Sequence, residues 1–311
     1  MTGREIRTIL KDDPLYPEKM KQLSDMPDTL YALGALPDPE QPTVAIVGAR
    51  LCSAYGRNTA YDFGQILASH GVQIISGMAA GIDSSSQEGA LDAGGRSYAV
   101  LGCGVDVCYP RANTTLYHRL IKEGGVLSEQ PPGTPPLPYY FPSRNRIISA
   151  LADIVIVVEA RVRSGSLITV DFALAQGRSV YAVPGRVGDA LSDGCNALIA
   201  QGAGIAYAPE AILNELKMLD DALSGEKRRK RAARRATENE KRVQAMETIT
   251  AEAKQIYALL EDNETQHPDA LASLSSLPLP QVRAALMELI REGLAEESAR
   301  DNYLRSSPVR E

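Results

Sequence analysis

The sequence of 311 residues predicts an α/β protein, a doubly wound parallel sheet followed by a small winged-helix domain. Three observations carry that expectation. From Thr43 to about Ala222, short apolar runs rich in β-branched residues alternate with amphipathic stretches at the spacing of βα units. Twice, at Val47-Gly48 and Ser76-Gly77, such a run ends in glycine and opens into a helix. In parallel sheets that junction binds anions, because backbone N–H groups and the helix N-terminus point at one spot. Residues 247–311 then read as three short helices and a two-stranded tail.

Residues 1–42 form a proline-punctuated extension. Asp13–Pro17, Met26-Pro27 and Leu36–Pro39 break any long helix, which leaves one short helical piece at Glu18 to Leu23. Tyr16, Leu23, Leu30, Tyr31 and Leu33 are expected to pack on the main domain, which spans 43–222. Its strands are expected at Thr43–Val47, Val72–Ser76, Ser97–Leu101, Val126–Ser128, Asp153–Glu159, Val180–Val183 and Ile205–Tyr207. The fifth is apolar on both faces, as a central parallel strand should be. Helices are expected from Arg57 to about His70, from an Asn113 cap to Lys122, from Phe141, from Gly165 to Gln176 and from Gly194 to Gln201. Residues 223–246 read as a basic linker without an apolar face. In 247–311, helices near Thr250–Leu260, His267–Leu274 and Leu279–Glu292 precede strands that turn near Ala299–Asn302. Val282, Leu286, Leu289 and Ile290 mark the buried side of the last helix.

Composition narrows the function classes. Hydrophobic content of 44% and charged content of 23% are ordinary for a soluble globular chain. Neither a signal-like apolar segment at Met1–Arg7 nor a run of membrane-spanning length is present, so a cytoplasmic protein is expected. Four scattered cysteines and three histidines suggest reduced thiols and neither a disulfide framework nor a metal site. The net charge of −6 is unevenly spread. Residues 1–225 carry 18 basic and 24 acidic groups, residues 226–242 carry 9 and 3, and residues 243–311 carry 6 and 12. An anionic partner must therefore be met locally.

Candidate binding residues follow from the strand ends. Arg50 stands two residues past the first strand's glycine, where a guanidinium can fork onto a phosphate beside Ser53 and the loop amides. The alternative is an arginine packed on Tyr55 or paired with an acid. Ser76, Gly77 and Gly81 can form a nest of N–H groups, or simply a turn. Arg144, Asn145 and Arg146 follow Tyr139, Tyr140 and Phe141, which joins cations to aromatic faces as a single-stranded nucleic acid requires. A capped helix start with aromatic packing explains the same residues. Phe63 and Phe172 lie on core-like helix faces, leaving Phe141 as the stacking ring. Arg111 is a further phosphate contact. Gly165 and Ser166 offer helix N-terminal amides or a plain cap. Alanine at Arg50, or at Arg144 and Arg146 together, is expected to weaken strand binding without unfolding the chain. Glu159 has no nucleophile or histidine beside it and reads as structural, orienting an arginine. No catalytic residue, cofactor or metal is expected. The basic run Lys227–Arg231 with Arg234 and Arg235 is a solvated tether that could add salt-sensitive affinity.

Seven ordered signatures between residues 43 and 205 resemble the DNA-processing protein A (DprA/Smf) family. They are Val47–Arg50 with Ser53 and Tyr55-Gly56; Ser76–Asp83 with Gly89–Leu91; Val100–Asp106 with Tyr109-Pro110 and Asn113; Leu127–Glu129 with Pro131 and Gly133; Phe141–Ile148; Val158–Ala160 with Ser164–Leu167; and Val183–Gly185 with Gly194 and Asn196. The proline-rich start and winged-helix tail fit as well. The additional N-terminal helical domain of some members is not expected here. Gln87 stands where the family usually has histidine, and Ala49 where serine is commoner, so any role of that imidazole is absent. The resemblance implies an extended Rossmann-like domain that binds single-stranded DNA, forms a homodimer and helps load RecA recombinase. The rival is a nucleotide-processing enzyme of the lysine-decarboxylase-like phosphoribohydrolase group. It requires Pro-Gly-Gly-x-Gly-Thr-x-x-Glu where this chain has Glu159–Ser166. A dinucleotide oxidoreductase is disfavoured because Gly48–Arg50 is not G-x-G-x-x-G. The acidic last helix disfavours a winged-helix regulator and suggests a protein-binding or dimer-modulating role for the tail.

Overall fold

A computed structural model describes residues 5–219, 245, 248–260, 265–299 and 301–305. The basic linker, with Lys227–Arg235, lies outside these residues. The chain divides into two compact units, 1–219 and 220–311.

The first unit is built on a nine-stranded sheet in the order β1-β2-β6-β5-β4-β3-β7-β8-β9. Its strands are β1 (Arg7–Leu10), β2 (Thr29–Gly34), β3 (Thr43–Gly48), β4 (Gln73–Ser76), β5 (Ser97–Val100), β6 (Gly125–Ser128), β7 (Ile154–Val158), β8 (Ser179–Ala182) and β9 (Gly204–Ile205). β3 to β9 pair in parallel, as the run of βα units predicts. The extension packs on the core with its short helix as expected, and it also adds two strands that the reading did not include. β2 pairs antiparallel with β6, and β1 with β2. Only Ile9 of β1 is buried, so this edge strand shows no alternation that periodicity could detect. The helix expected there forms as α1 (Glu18–Lys21), and Tyr16 and Leu30 enter the core.

The remaining helices are α2 (Ala54–Ser69), α3 (Ile82–Asp92), α4 (Thr114–Glu123), α5 (Tyr140–Leu151), α6 (Gly165–Ala175), α7 (Asp193–Ala200) and α8 (209–219). Successive β3 side chains point to opposite faces. Val44 and Ile46 pack with Phe63 and Leu67 of α2 and Ile82 of α3. Ala45 and Val47 pack with Ile147, Ile148 and Leu151 of α5 and Val170 of α6. Covering both faces explains why β3 and β7 read as continuous apolar runs. The chain crosses outward from β3 through β4, β5 and β6, then returns to β7 on the other side of β3. The topological switch point therefore lies beyond the C-terminal ends of β3 and β7.

The second unit holds α9 (Ala251–Leu259), α10 (Pro268–Ser275), α11 (Leu279–Arg291) and the antiparallel pair β10 (Ala295–Ala299) and β11 (Asn302–Arg305). Val282, Leu286 and Leu289 close its own core with Ile256, Leu271 and Leu294. No helix among the described residues is long and apolar enough to cross a membrane.

Candidate nucleic-acid interface

Arg50 follows β3 at the switch point and is exposed. Among the described residues it makes no ion pair, and its ring contact is with Phe141 and not with Tyr55. Its guanidinium lies over the Phe141 ring, 5.5 Å from the centroid. Such a cation–π contact at an open site is worth about 0.5–1 kcal/mol and leaves the outward N–H groups for another acceptor. Phe141, at the start of α5, also meets Tyr109 from the β5–α4 loop at 5.4 Å. Tyr109 is 39% exposed, and Tyr139, tilted against Tyr140 at 4.4 Å, is 63% exposed. The outcome is a rim of one cation and open aromatic faces. Sequence reasoning missed Tyr109, although its place two residues before Arg111 was a usable signal. Arg111 itself is exposed beside this rim, in a 3₁₀ turn over Arg111–Asn113.

Behind the rim, the chain's own groups occupy the donors that sequence assigned to a ligand. Ser53 gives its N–H to Glu159 Oε2 at 2.8 Å and its hydroxyl to Glu159 Oε1, while its Oγ accepts from Gly56 to cap α2. Glu159 thus orients a serine and a helix, not an arginine. It is buried at the end of β7, with φ of 55°. Ser76 is fully buried and donates to the Ile46 carbonyl at 2.6 Å. The expected nest at Gly77 has a resident anion: Asp83, from the first turn of α3, accepts the Gly77 N–H at 3.1 Å. Burial pushes the Asp83 carboxyl up, while Arg144 and the N–H groups of Ala79 and Gly77 pull it down.

Arg144 is the other half of that buried arrangement. It is 4% exposed, and its Nη1 donates to Gly77 O at 2.9 Å and to Val100 O. Burial lowers its pKa to about 10, with Asp83 opposing. Here its role is to tie α5 to the ends of β4 and β5, not to stand open to a phosphate. Arg146 pairs with Glu129 at 2.7 Å, with both side chains largely covered. Between them, Asn145 accepts from Arg144 Nε and donates to Gly165 O at 3.3 Å, joining α5 to the start of α6. Gly165 is exposed with open space above its Cα. Ser166 takes the plain-cap arrangement, its N–H 3.4 Å from Ser164 Oγ. Gly81, at φ of 85°, approaches the first loop so closely that a Cβ would lie 2.6 Å from Arg50 O. Asn113 does not cap α4 with its side chain; it donates to Met78 O at 2.9 Å and fixes the neighbouring loop. Among the described residues no group of three or more His, Cys, Asp or Glu side chains converges on a metal position.

This arrangement at the switch point can be set against known proteins. The family model of DNA recombination-mediator protein A matches residues 7–217. The chain belongs to this family. Relatives in the family include DNA processing protein DprA of Streptococcus pneumoniae, 43% identical over 66% of this chain and 72% of the relative. Protein Smf of Escherichia coli is 38% identical over 89% of this chain and 72% of its own length. Among solved structures, DNA processing protein A of Streptococcus pneumoniae superposes with a TM-score of 0.64 at 40% identity, over 68% of this chain and 75% of that one. DNA processing protein A of Helicobacter pylori, a structure described for its single-stranded-DNA binding mode, gives 0.62 at 29% identity over 70% and 97%. The family core thus extends over β1 to α8, including the two antiparallel strands that periodicity overlooked.

Proposed function

We propose that this protein binds single-stranded DNA in the crevice beyond β3 and β7 and helps RecA recombinase assemble on the bound strand, in transformation or homologous recombination. The observation that carries the reading is the exposed Arg50 stacked on Phe141, with Tyr109 beside it. It sets a phosphate donor against open ring faces. A relative whose solved structure is described by its single-strand binding mode supports it. Arg50, Arg111, Phe141 and Gly165 are the contacts we assign to the strand. Ser53, Ser76, Gly77, Gly81, Arg144, Asn145, Arg146 and Ser166 shape the surface behind them. Action as a homodimer through the first unit, a cytoplasmic site and the absence of a catalytic step belong to the same proposal. The acidic winged-helix unit serves protein contacts in it.

The test is a titration of labelled oligo-dT at several salt concentrations, with duplex DNA and AMP as competitors. Arg50→Ala is expected to weaken binding and flatten the logarithmic salt slope by ~0.7, the share of one phosphate contact. A wild-type protein that prefers AMP or duplex DNA to oligo-dT would remove the proposal.

A further inference from the structure

Three adjacent loops at the C-terminal edge of the sheet repeat one pattern. β3 leads to Arg50-Leu51, β7 leads to Arg161-Val162-Arg163, and β8 leads to Arg186-Val187. All four arginines are exposed, and so are the apolar residues beside them, Leu51 at 89%, Val162 at 62% and Val187 at 98%. The three strands are neighbours and end level, with Gly48 opposite Val158 and Val157 opposite Ala182. Two inter-strand spacings separate the outer loops, about 10 Å.

The β7 and β8 loops are both braced by α7. Gly194 of α7 donates to Ala160 O at 2.8 Å and packs against the 160–161 backbone. Asn196 of α7 exchanges two hydrogen bonds with Gly185 at 3.2 Å, holding the β8 loop on the same helix. The acid nearest Arg186 in its loop, Asp189, accepts from Leu191 N–H and Ser192 Oγ. Among the described residues Arg161, Arg163 and Arg186 make no ion pair.

From this the geometry points to a second binding subsite: Arg161, Arg163 and Arg186 form a track that takes the phosphates of a single strand as it leaves the Arg50 crevice. The inference rests on the strand-binding reading above. Exposed cations alternating with bare aliphatic groups suit a chain of phosphates that carries apolar base faces, and Asn145 already links the crevice to the start of α6.

The experiment uses the full chain with a short oligo-dT of about six nucleotides and a long one of about twenty, chosen to fill the crevice alone or the crevice and track. The variants are R161A/R163A/R186A, the matching triple lysine variant, and R50A. Between about 50 and 200 mM salt, wild-type affinity for the long strand should fall about 20-fold more than that of the triple alanine variant, since three contacts contribute ~0.7 each to the slope. The short strand should bind both proteins alike, and the lysine variant should restore the slope. Long-strand affinity and slope that are unchanged in the triple alanine variant overturn the track, and leave these loops to a protein partner. The crevice still stands in that case if R50A weakens the short strand. No binding of either length by the wild type removes the crevice reading itself.

Discussion

At the residue scale, Arg144 and Arg50 show how one side-chain type serves opposite ends. Arg50 is open, so its removal should affect binding and leave the fold intact. Arg144 is buried with Asp83 and donates to two carbonyls. Arg144→Ala leaves the buried Gly77 and Val100 carbonyls without this donor, which costs about 1–3 kcal/mol each. Urea unfolding should show a much lower midpoint for Arg144→Ala than for Arg50→Ala, which loses at most the ~0.5–1 kcal/mol of its cation–π contact. Equal midpoints would show that the buried guanidinium carries no stability of its own. The expectation that alanine at Arg144 spares the fold is thereby revised. Tyr16 supplies a pH test. Its hydroxyl donates to Pro27 O at 2.7 Å, and burial pushes its pKa up to about 12. Between about pH 10 and 12 the unfolded chain loses this proton while the folded chain keeps it, so stability falls as pH rises through that window. Tyr16→Phe should cost about 1 kcal/mol at neutral pH and make the alkaline decline in melting temperature shallower. An unchanged decline would place its cause in other tyrosines.

At the element scale, loops and not helices set the geometry of the crevice. The β4–α3 loop touches the β3–α2 loop through Gly81, and Ile82 N–H donates to Ala49 O at 3.3 Å. Gly81→Ala would place a Cβ against the Ala49 and Arg50 carbonyls, at a backbone φ of 85° that disfavours any side chain. The loop carrying Arg50 must then move. Oligo-dT affinity should drop as far as in Arg50→Ala, with a stability loss of about 1–3 kcal/mol. Wild-type affinity in a folded Gly81→Ala protein would show that loop contact to be dispensable. The same contact explains why glycine at this strand end resembled an anion nest in sequence: its freedom serves backbone approach, and Asp83 fills the nest.

At the scale of the whole molecule, residues 1–225 and 243–311 each carry a net charge of −6, but the second stretch concentrates it in 69 residues. The last helix of the second unit carries Arg283 and Arg291, but Arg283 meets Asp301 at 3.3 Å and Arg291 meets Glu292 at 3.2 Å. Glu288 on the same helix is engaged by Thr250, the N-cap of α9, accepting from its N–H and hydroxyl. With 12 acidic and 6 basic groups in residues 243–311, this surface repels a phosphate backbone. A fragment of residues 243–311 should fold, as its closed core allows, and leave labelled oligo-dT unshifted at low salt. A measurable shift would return the winged helix to the strand-binding surface.

Seven parallel strands, most of their helices and the helix–strand order of the second unit were legible in the sequence, but α8 was not. Strands buried on both faces and helices with one apolar side leave a local periodic mark, and β7 and the last helix are the clearest cases. β1 was not legible, because an edge strand with one buried residue leaves no such mark. The position of Arg50 just past β3 was legible because a strand end is a local feature. Which arginine of Arg144–Arg146 faces solvent was not, since helix phase relative to distant carbonyls and to Glu129 depends on residues 15 or more positions away. Sequence by itself determined the parallel strands and the edge of the sheet at which we place the ligand. Tertiary structure alone decided which donors remain open there, because a buried N–H or guanidinium must find an acceptor and the nearest acceptors came from other strands.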